Sequence, residues 1–585
     1  MKVTTPQILF HGGDSGGKKV SCEPVFSLDF APTHVRAGND AKAEEKAYLL
    51  ATAGADKDVK LWRVSGSPLA SESADLAIAH VATLSGHNKT ANCVRFAPSG
   101  RELASAGDGG EVLLWQPGGV SAYVKEQQAE ATAAAAAAAS VPPNATSAAP
   151  AVGTASASAA AAAAGSPAAG GEQEQEWKVS GTLRGHADDV QDIAWNADGS
   201  ALLTGSVENV AFVFDVANRK AAVRLSDHRG YVQGVAWDPG YRYLVTQSGD
   251  RTVRIYQPKS SAGDAEAVLT AAVDAMDIAE DDKFAEAVAK ACGLSSPQAA
   301  LNALNAASRG PFSCVATIAK RDAADVDAAA AAATTAAAAA ATTAAAAAAT
   351  TATAKQPSLF AGDSLHSFFR RPAWTPDGGA LIMPAGMVTG GVSATWLLRR
   401  GDATPAVALP VAGKPPVAVR CAPVIVERQG KRCALVAVAT VDTLVVYAIH
   451  EDGEVESLAA LAGAHLSALT DVAWAADAGM LAVSSHDGYI TLVAFEEGEL
   501  GRPMAAHELP RHVQARMCGF ACRVRARLTR ACGTAAAAAA TAATAATAAA
   551  TTTTTILAEK RPAAPASAVD KPASKARRIT PIAVV

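Results

Sequence analysis

Residues 225–256 read Leu-Ser-Asp-His-Arg-Gly-Tyr-Val-Gln-Gly-Val-Ala-Trp-Asp-Pro-Gly-Tyr-Arg-Tyr-Leu-Val-Thr-Gln-Ser-Gly-Asp-Arg-Thr-Val-Arg-Ile-Tyr. His228 follows a short loop, and an alternating strand from Val232 runs into the turn Asp238-Pro239-Gly240. A second strand from Leu244 ends before Asp250, and a third closes on the aromatic Tyr256. Alternation with period two, broken by Gly, Pro and Asp, is the mark of short antiparallel strands. The stretch predicts one complete β-propeller blade, a unit that contributes a single four-stranded sheet.

Variants of the pattern recur. His186 and His228 lie 42 residues apart, within the roughly 40 to 45 of a WD-type repeat. A first blade spans about Pro24 to Val64. A second starts at Leu84-Ser85-Gly86-His87 and ends at Leu113-Leu114-Trp115, and a third runs from Leu183-Arg184-Gly185-His186 to Phe212-Val213-Phe214-Asp215. After the fourth the signal weakens, but Trp374-Thr375-Pro376-Asp377-Gly378, Leu444-Val445-Val446-Tyr447 and Asp471-Val472-Ala473-Trp474 each carry part of it. The expectation is an all-β, seven-bladed WD-repeat propeller over residues 1–500. Val3 to Phe10 would add a strand to the last blade and close the ring, removing a strand edge open to aggregation. His87, His186, His228, Asp56 and Asp250 recur at blade spacing, so they read as hydrogen-bonding groups within blades and not as catalytic pairs. Glu208 and Gly109 stand where the repeat expects Asp.

Ala-rich runs broken by Ser or Thr, such as 131–139, 328–354 and 535–555, are low-complexity tracts. They place inserts at about 117–175 and 258–358, between blades, where surface loops tolerate them. Asp264 to Ala291 is acidic with interspersed apolar residues and reads as one or two exposed helices. Residues 501–585 read as a disordered basic tail. From Arg502 onward 13 Lys or Arg face 3 Asp or Glu, a net +10, while the remainder holds 38 basic and 53 acidic residues, a net −15. An acidic body favours basic protein partners over direct, sequence-specific DNA binding. No run of about 18 large apolar residues and no basic-then-apolar leader is present, which argues against a membrane or secreted protein. Nine scattered cysteines suit a reducing compartment. Cys518, Cys522 and Cys532 near His507 and His512 do not have the spacing of a zinc finger, so no metal site is expected. Gly13-Asp14-Ser15-Gly16-Gly17 matches the surroundings of a protease nucleophile but has too little chain before it for the His and Asp. The overlapping Gly12 to Lys18 stretch has Lys19 where a phosphate-binding loop needs Ser or Thr. No enzyme and no cofactor are expected.

Four strings carry a more specific resemblance: Met1-Lys2-Val3-Thr4, Glu23-Pro24-Val25-Phe26-Ser27-Leu28-Asp29-Phe30, Tyr231-Val232-Gln233-Gly234-Val235-Ala236-Trp237-Asp238-Pro239, and Ser367-Phe368-Phe369-Arg370-Arg371 followed by Thr375-Pro376-Asp377-Gly378. With them the chain resembles the middle, WD-repeat subunit of chromatin assembly factor 1, over nearly all of 1–500 apart from the inserts. That resemblance implies a nuclear, non-catalytic scaffold joining a large subunit and a small histone-binding subunit, in a complex that delivers histones 3 and 4 to newly replicated DNA.

The tail ends in Lys575-Ala576-Arg577-Arg578-Ile579-Thr580-Pro581-Ile582. Paired guanidinium groups beside a β-capable apolar stretch suit recognition of an acidic surface by strand addition. The segment resembles the motif through which this family and the HIRA chaperones bind the anti-silencing function histone chaperone. By that resemblance Arg577 and Arg578 form ion pairs and Ile579 and Pro581 pack, with Thr580 and Ile582 in the motif. Lys560, Arg561, Lys571, Lys575, Arg577 and Arg578 also have the charge pattern of a bipartite nuclear import signal. Phe368, Phe369, Arg370 and Arg371 offer a second candidate: alternation buries one Phe, and an exposed aromatic beside two Arg suits a subunit contact. The alternatives are a HIRA-like chaperone acting outside replication and a WD-repeat substrate receptor of a ubiquitin ligase. The Met1 and Phe-Phe-Arg-Arg strings favour the first reading.

Overall fold

The computed structural model describes residues 1–12, 22–32, 35–36, 46–65, 77–118, 176–259, 263–320, 358–362, 368–388, 391–402, 404–405, 407–410, 414–517 and 519–533. Seven antiparallel sheets follow one another along the chain, each built on an up-and-down path of four strands, with a fifth short strand added in blades one and six. In the fourth blade Val232–Trp237, Leu244–Ser248, Val253–Pro258 and Phe312–Ile318 lie in sequence order from the axis outward. The seventh takes its outer strand from the other end of the chain, with Lys2, Val3 and Thr4 pairing antiparallel to Ala494, Val493 and Leu492. The ring therefore closes as expected, though with a three-residue strand. The ion pair of the Met1 amino group with Glu499, at 2.8 Å, holds its end.

Each blade buries the face it turns to its neighbour. Trp115 and Trp396 are almost wholly enclosed, and the clusters between blades are built of Val, Leu, Ala and aromatic side chains from adjoining sheets. The two ends of the ring differ. One carries the loops that hold the repeat histidines together with the hairpins between second and third strands, and it is called the histidine face below. The opposite face carries the turns between first and second strands.

Two boundaries need correction. The expected insert 258–358 contains the outer strand of blade four, Phe312–Ile318, and before it three helices, α1 (Gly263–Ala275), α2 (Asp281–Ala291) and α3 (Pro297–Arg309). Helix α3 starts where Ser296 Oγ accepts the Ala299 N–H and Pro297 occupies the first turn. Phe284, Ala285, Val288 and Ala289 of α2 are buried, so the module is packed and not merely exposed. The expected disordered tail likewise begins too early. Arg502–Pro503 adds a fifth strand to blade six, Arg511–Gln514 is helical (α4), and 520–529 form a further helix. Phe520, Val524 and Leu528 recur every fourth position and are buried, which is the helical period. The chain divides into compact units at Thr529. Of the second, 530–585, four helical residues, 530–533, are described.

Candidate functional site

The recurrent histidines do the same work in several blades. In blade four His228 Nδ1 lies 3.0 Å from Asp250 and Nε2 lies 2.6 Å from Thr246 Oγ1. Burial alone would raise the Asp250 carboxyl, but hydrogen bonds from His228 and Thr252 hold it well below the usual carboxylate range. In blade three Glu208 takes the place of Asp and still reaches His186. Blade two has Gly109 there. His87 keeps only Ser105 of this set, at 2.7 Å, and burial lowers its pKa to about 4. Two further pairs were not foreseen: His11 with Asp56 at 2.6 Å and His465 with Asp487 at 3.1 Å. In the second, as in blades three and four, the acid follows 22 residues after His, a spacing that would have found it. These groups fasten loops to strands.

Three of the four strings singled out in the sequence meet at the ring axis. Phe369, Arg370 and Arg371 are buried and Phe368 is 56% exposed. The Arg371 guanidinium donates to the carbonyls of Phe26 (3.0 Å), Thr470 (3.1 Å) and Asn92 (2.9 Å), from blades one, seven and two. It also lies 3.1 Å from Asp471 and 3.4 Å from Asp192, and its Cζ sits 4.0 Å over the Phe369 ring. Arg95 joins the cluster at 2.8 Å from Asp471, and Arg420 at 3.5 Å. Arg370 donates to the carbonyls of Ala361 and Gly362, both at 2.7 Å. The pair of arginines expected beside an exposed aromatic is therefore inside the ring, where it ties blades across the channel. Of the four residues, Phe368 alone is exposed to solvent.

Gly234 explains how that segment fits. The Arg370 N–H donates to Gln233 O at 3.2 Å, and a Cβ on Gly234 would stand 1.8 Å from the Arg370 carbonyl oxygen. The Tyr-Val-Gln-Gly string is thus the bed on which the Phe-Phe-Arg-Arg string lies.

The opposite face carries a cap. Arg516 reaches Glu266 of α1 and the Asp377 carbonyl in blade five, and Arg525 reaches Asp198 in blade three and Asn305 of α3. Arg527 donates to Met276 O (3.3 Å) and Ala279 O (3.2 Å), at and just beyond the α1 C-terminus, pairs with Asp281 at 2.8 Å and stacks 4.0 Å from the Phe284 ring. A cation at the carbonyl end of a helix is favourably placed. Beside this cap a cavity of about 320 Å³ opens at the channel mouth, lined by Trp195, Trp237, Trp374, Pro239 and Pro376, with Asp29 and Arg516 at its edge.

A second cavity, of about 400 Å³, lies between blades five and six. There Cys433 Sγ is 3.1 Å from His450 Nδ1, and His450 Nε2 is 3.6 Å from Glu456. Burial pushes the thiol up to about 11 and Arg428 holds Glu456 through two hydrogen bonds, so at neutral pH this line lacks the thiolate a nucleophile needs. Among the described residues no three His, Cys, Asp or Glu gather as metal ligands, and no helix is long and apolar enough to cross a membrane. Lys560, Arg561, Lys571, Lys575 and the segment Arg577, Arg578, Ile579, Thr580, Pro581 and Ile582 lie outside the described residues, as does the Gly-rich stretch from 13 to 17.

Comparison with known proteins agrees with this architecture. The CAF1B/HIR1 beta-propeller domain matches residues 158–283 and 313–500, and a WD domain, G-beta repeat, matches 79–116. The gap between the two matched segments, 284–312, takes in most of α2, all of α3 and the turn into the outer strand of blade four. Among similar proteins, the chromatin assembly factor 1 subunit FAS2 homolog of Oryza sativa subsp. japonica is 30% identical over 82% of this chain and 72% of its own length. The CAF1B subunit of chromatin assembly factor 1 from Gallus gallus is 28% identical over 86% of this chain and 69% of its own. Protein HIR1 of Cryptococcus neoformans is 26% identical over 44% of this chain and 23% of its own. With seven blades, an axis occupied by the strings that carried the resemblance, a family model that matches more than half of the chain and a relative 30% identical over 82% of it, the chain belongs to the CAF1B family, the WD-repeat subunits of chromatin assembly factor 1.

Proposed function

We propose that the protein is a non-catalytic scaffold of a nuclear histone chaperone complex that deposits histones 3 and 4 on newly replicated DNA. Its propeller holds the large subunit and, through the complex, the small histone-binding subunit. Its tail docks the anti-silencing function histone chaperone that brings the histones. The observation that carries the reading is the extent of the match: relatives named as chromatin assembly factor subunits align over more than four fifths of the chain, and the HIR1 relative over less than half. The Arg371 cluster supports it too, since a channel filled by ion pairs and main-chain hydrogen bonds leaves the faces and edges of the ring for partners.

In the tail, Arg577 and Arg578 pair with acidic groups of the chaperone, while Ile579, Pro581 and Ile582 fill its groove as an added strand. Lys560, Arg561, Lys571 and Lys575 extend the charge for nuclear import. Calorimetric titration of a peptide spanning Val569–Val585 against the anti-silencing chaperone tests the site, beside a triple variant Arg577→Ala/Arg578→Ala/Ile579→Ala. Binding that disappears in the triple variant is the expected result. Equal binding by both peptides, or by neither, removes the chaperone-docking role and leaves the basic residues as an import signal.

A further inference from the structure

The ring has two faces, and the chain itself covers much of one. The cap built from α1–α3 and residues 511–529 contacts the turns of blades three and five through Arg525 and Arg516. The histidine face bears no such element among the described residues, and it presents large apolar side chains to solvent: Tyr231 at 47%, Phe368 at 56%, Val392 at 54% and Leu466 at 100% exposure. Single exposed apolar residues need no explanation, but a group of them on one functional face does.

Their placement follows from the strands. Tyr231 and Phe368 each precede by two residues the point, Gln233 and Arg370, at which the inner strands of blades four and five are joined by a hydrogen bond. Neighbouring inner strands of a propeller run the same way, so the two aromatics leave the channel side by side. Phe369 packs 6.1 Å from Phe26, whose ring lies 5.3 Å from His486, so this mouth is shared with blades one and seven. Val392 closes the hairpin of blade five, and Leu466 follows His465 in the loop entering blade seven.

Charge divides the same face. The described loops of blades one to four hold ten acidic against five basic side chains, whereas those of blades five to seven hold two acidic side chains against Lys320 and Lys414, besides the buried Arg370 and Arg371. Burial and the neighbouring carboxylates of Asp108 and Asp188 raise the Asp189 pKa, so the acids at the junction of blades two and three crowd one another.

We propose that the histidine face, from Tyr231 and Phe368 at the channel mouth to Val392 and Leu466, is where the large subunit docks. The docking segment is one in which Lys or Arg alternates with large apolar residues. A lasting subunit contact needs apolar groups removed from water at its centre, which blades five and seven supply. The acidic loops of blades two to four select a basic flank and repel an acidic one. Cargo held by charge alone would have no use for Phe368 or Leu466. This inference rests on the scaffold reading and adds the face and the chemistry of the partner.

The test is co-purification of the full chain with the large subunit expressed alongside it. Phe368→Asp/Leu466→Asp is compared with Ala526→Asp, which changes an exposed position on the cap. Because both substituted side chains of the first variant are exposed, its melting temperature is expected to match that of the wild type. Its apparent Kd is expected to rise at least tenfold, and Ala526→Asp to bind as the wild type does. A photo-crosslinker replacing Phe368 is expected to capture a segment of the large subunit that is basic and apolar. Unchanged binding by Phe368→Asp/Leu466→Asp, loss of binding by Ala526→Asp, or capture of an acidic segment overturns the proposed face while leaving the scaffold reading intact. Absence of binding by the wild-type chain sinks the scaffold reading and the inference with it.

Discussion

Arg371 at the ring axis and Arg525 on the cap are the same residue type in the same acidic body, yet they hold different things. Arg371 is wholly enclosed and bridges three blades through carbonyls and two buried aspartates. Arg525, partly exposed, fixes one helix to one turn through Asp198. Burial decides how much each contact matters. A charge taken out of water is tolerated only while its partners are present, and its removal strands them.

Replacing Arg371 is therefore expected to have the largest effect. Arg371→Met keeps volume and loses the charge, leaving Asp471 and Asp192 with less compensation in the dry interior. Breaking a buried pair of this kind costs about 3–5 kcal/mol, readable as a lower urea midpoint. A loss below about 1 kcal/mol would mean that Arg95 and Arg420 neutralise the aspartates without help. Arg525→Ala comes next. Asp198 keeps hydrogen bonds from Asn196 Nδ2 and the Ser200 N–H, each at 2.9 Å, so a loss of about 1–3 kcal/mol is expected. It should be felt locally, as faster tryptic cleavage within 511–529. Cleavage at the wild-type rate would show that the apolar residues Phe520, Val524 and Leu528 hold the cap unaided.

The same contrast explains what could be read from the sequence. Blades one to four, ring closure and the repeat histidines were legible because each rests on local spacing: alternation, a turn residue, an aromatic stop. Blade five was harder, since its inner strand pairs regularly only at Ala373–Trp374 and the rest of it enters the channel. That Arg371 turns inward depends on carbonyls more than 200 residues away in sequence, Phe26 and Asn92, and no window around residue 371 contains them. The cap was missed for a different reason. Its charge balance suggested a basic tail, while the four-residue recurrence of Phe520, Val524 and Leu528 was present all along. Gly234 was legible as part of a string, but the reason for it, a main chain passing too close for a Cβ, exists only in three dimensions.

Asp29 extends the contrast to the channel itself. It accepts the Phe96 N–H at 2.8 Å at the edge of the axial cavity. Enclosure by the surrounding blades raises its pKa to about 7 from an ordinary 3.8, with nearby Arg95 opposing the rise. The folded state then holds a proton that the unfolded chain has released, so the stability this group contributes is complete below about pH 4 and is lost as pH rises towards 7. Asp29 is only partly buried, so solvent screens part of the effect, and a loss of about 1 kcal/mol between pH 5 and pH 8 is expected from this residue. Asp29→Asn, measured by urea unfolding at both pH values, should narrow the difference by that amount. An unchanged pH dependence would mean that Arg95 keeps the carboxylate charged throughout.

The smallest effect is expected from an arginine with more carboxylate hydrogen bonds than Arg525 has. Arg502 meets Glu427 at 2.6 and 3.0 Å and Glu508 at 3.0 and 3.2 Å. More than half of its side chain is nevertheless in solvent, where water competes for every bond and salt screens the charges. Arg502→Ala should leave the urea midpoint where it is, and should do so equally at low and high salt. A shift comparable to that of Arg525→Ala would show that the fifth strand of blade six, and not burial of its charges, governs how firmly the cap is held.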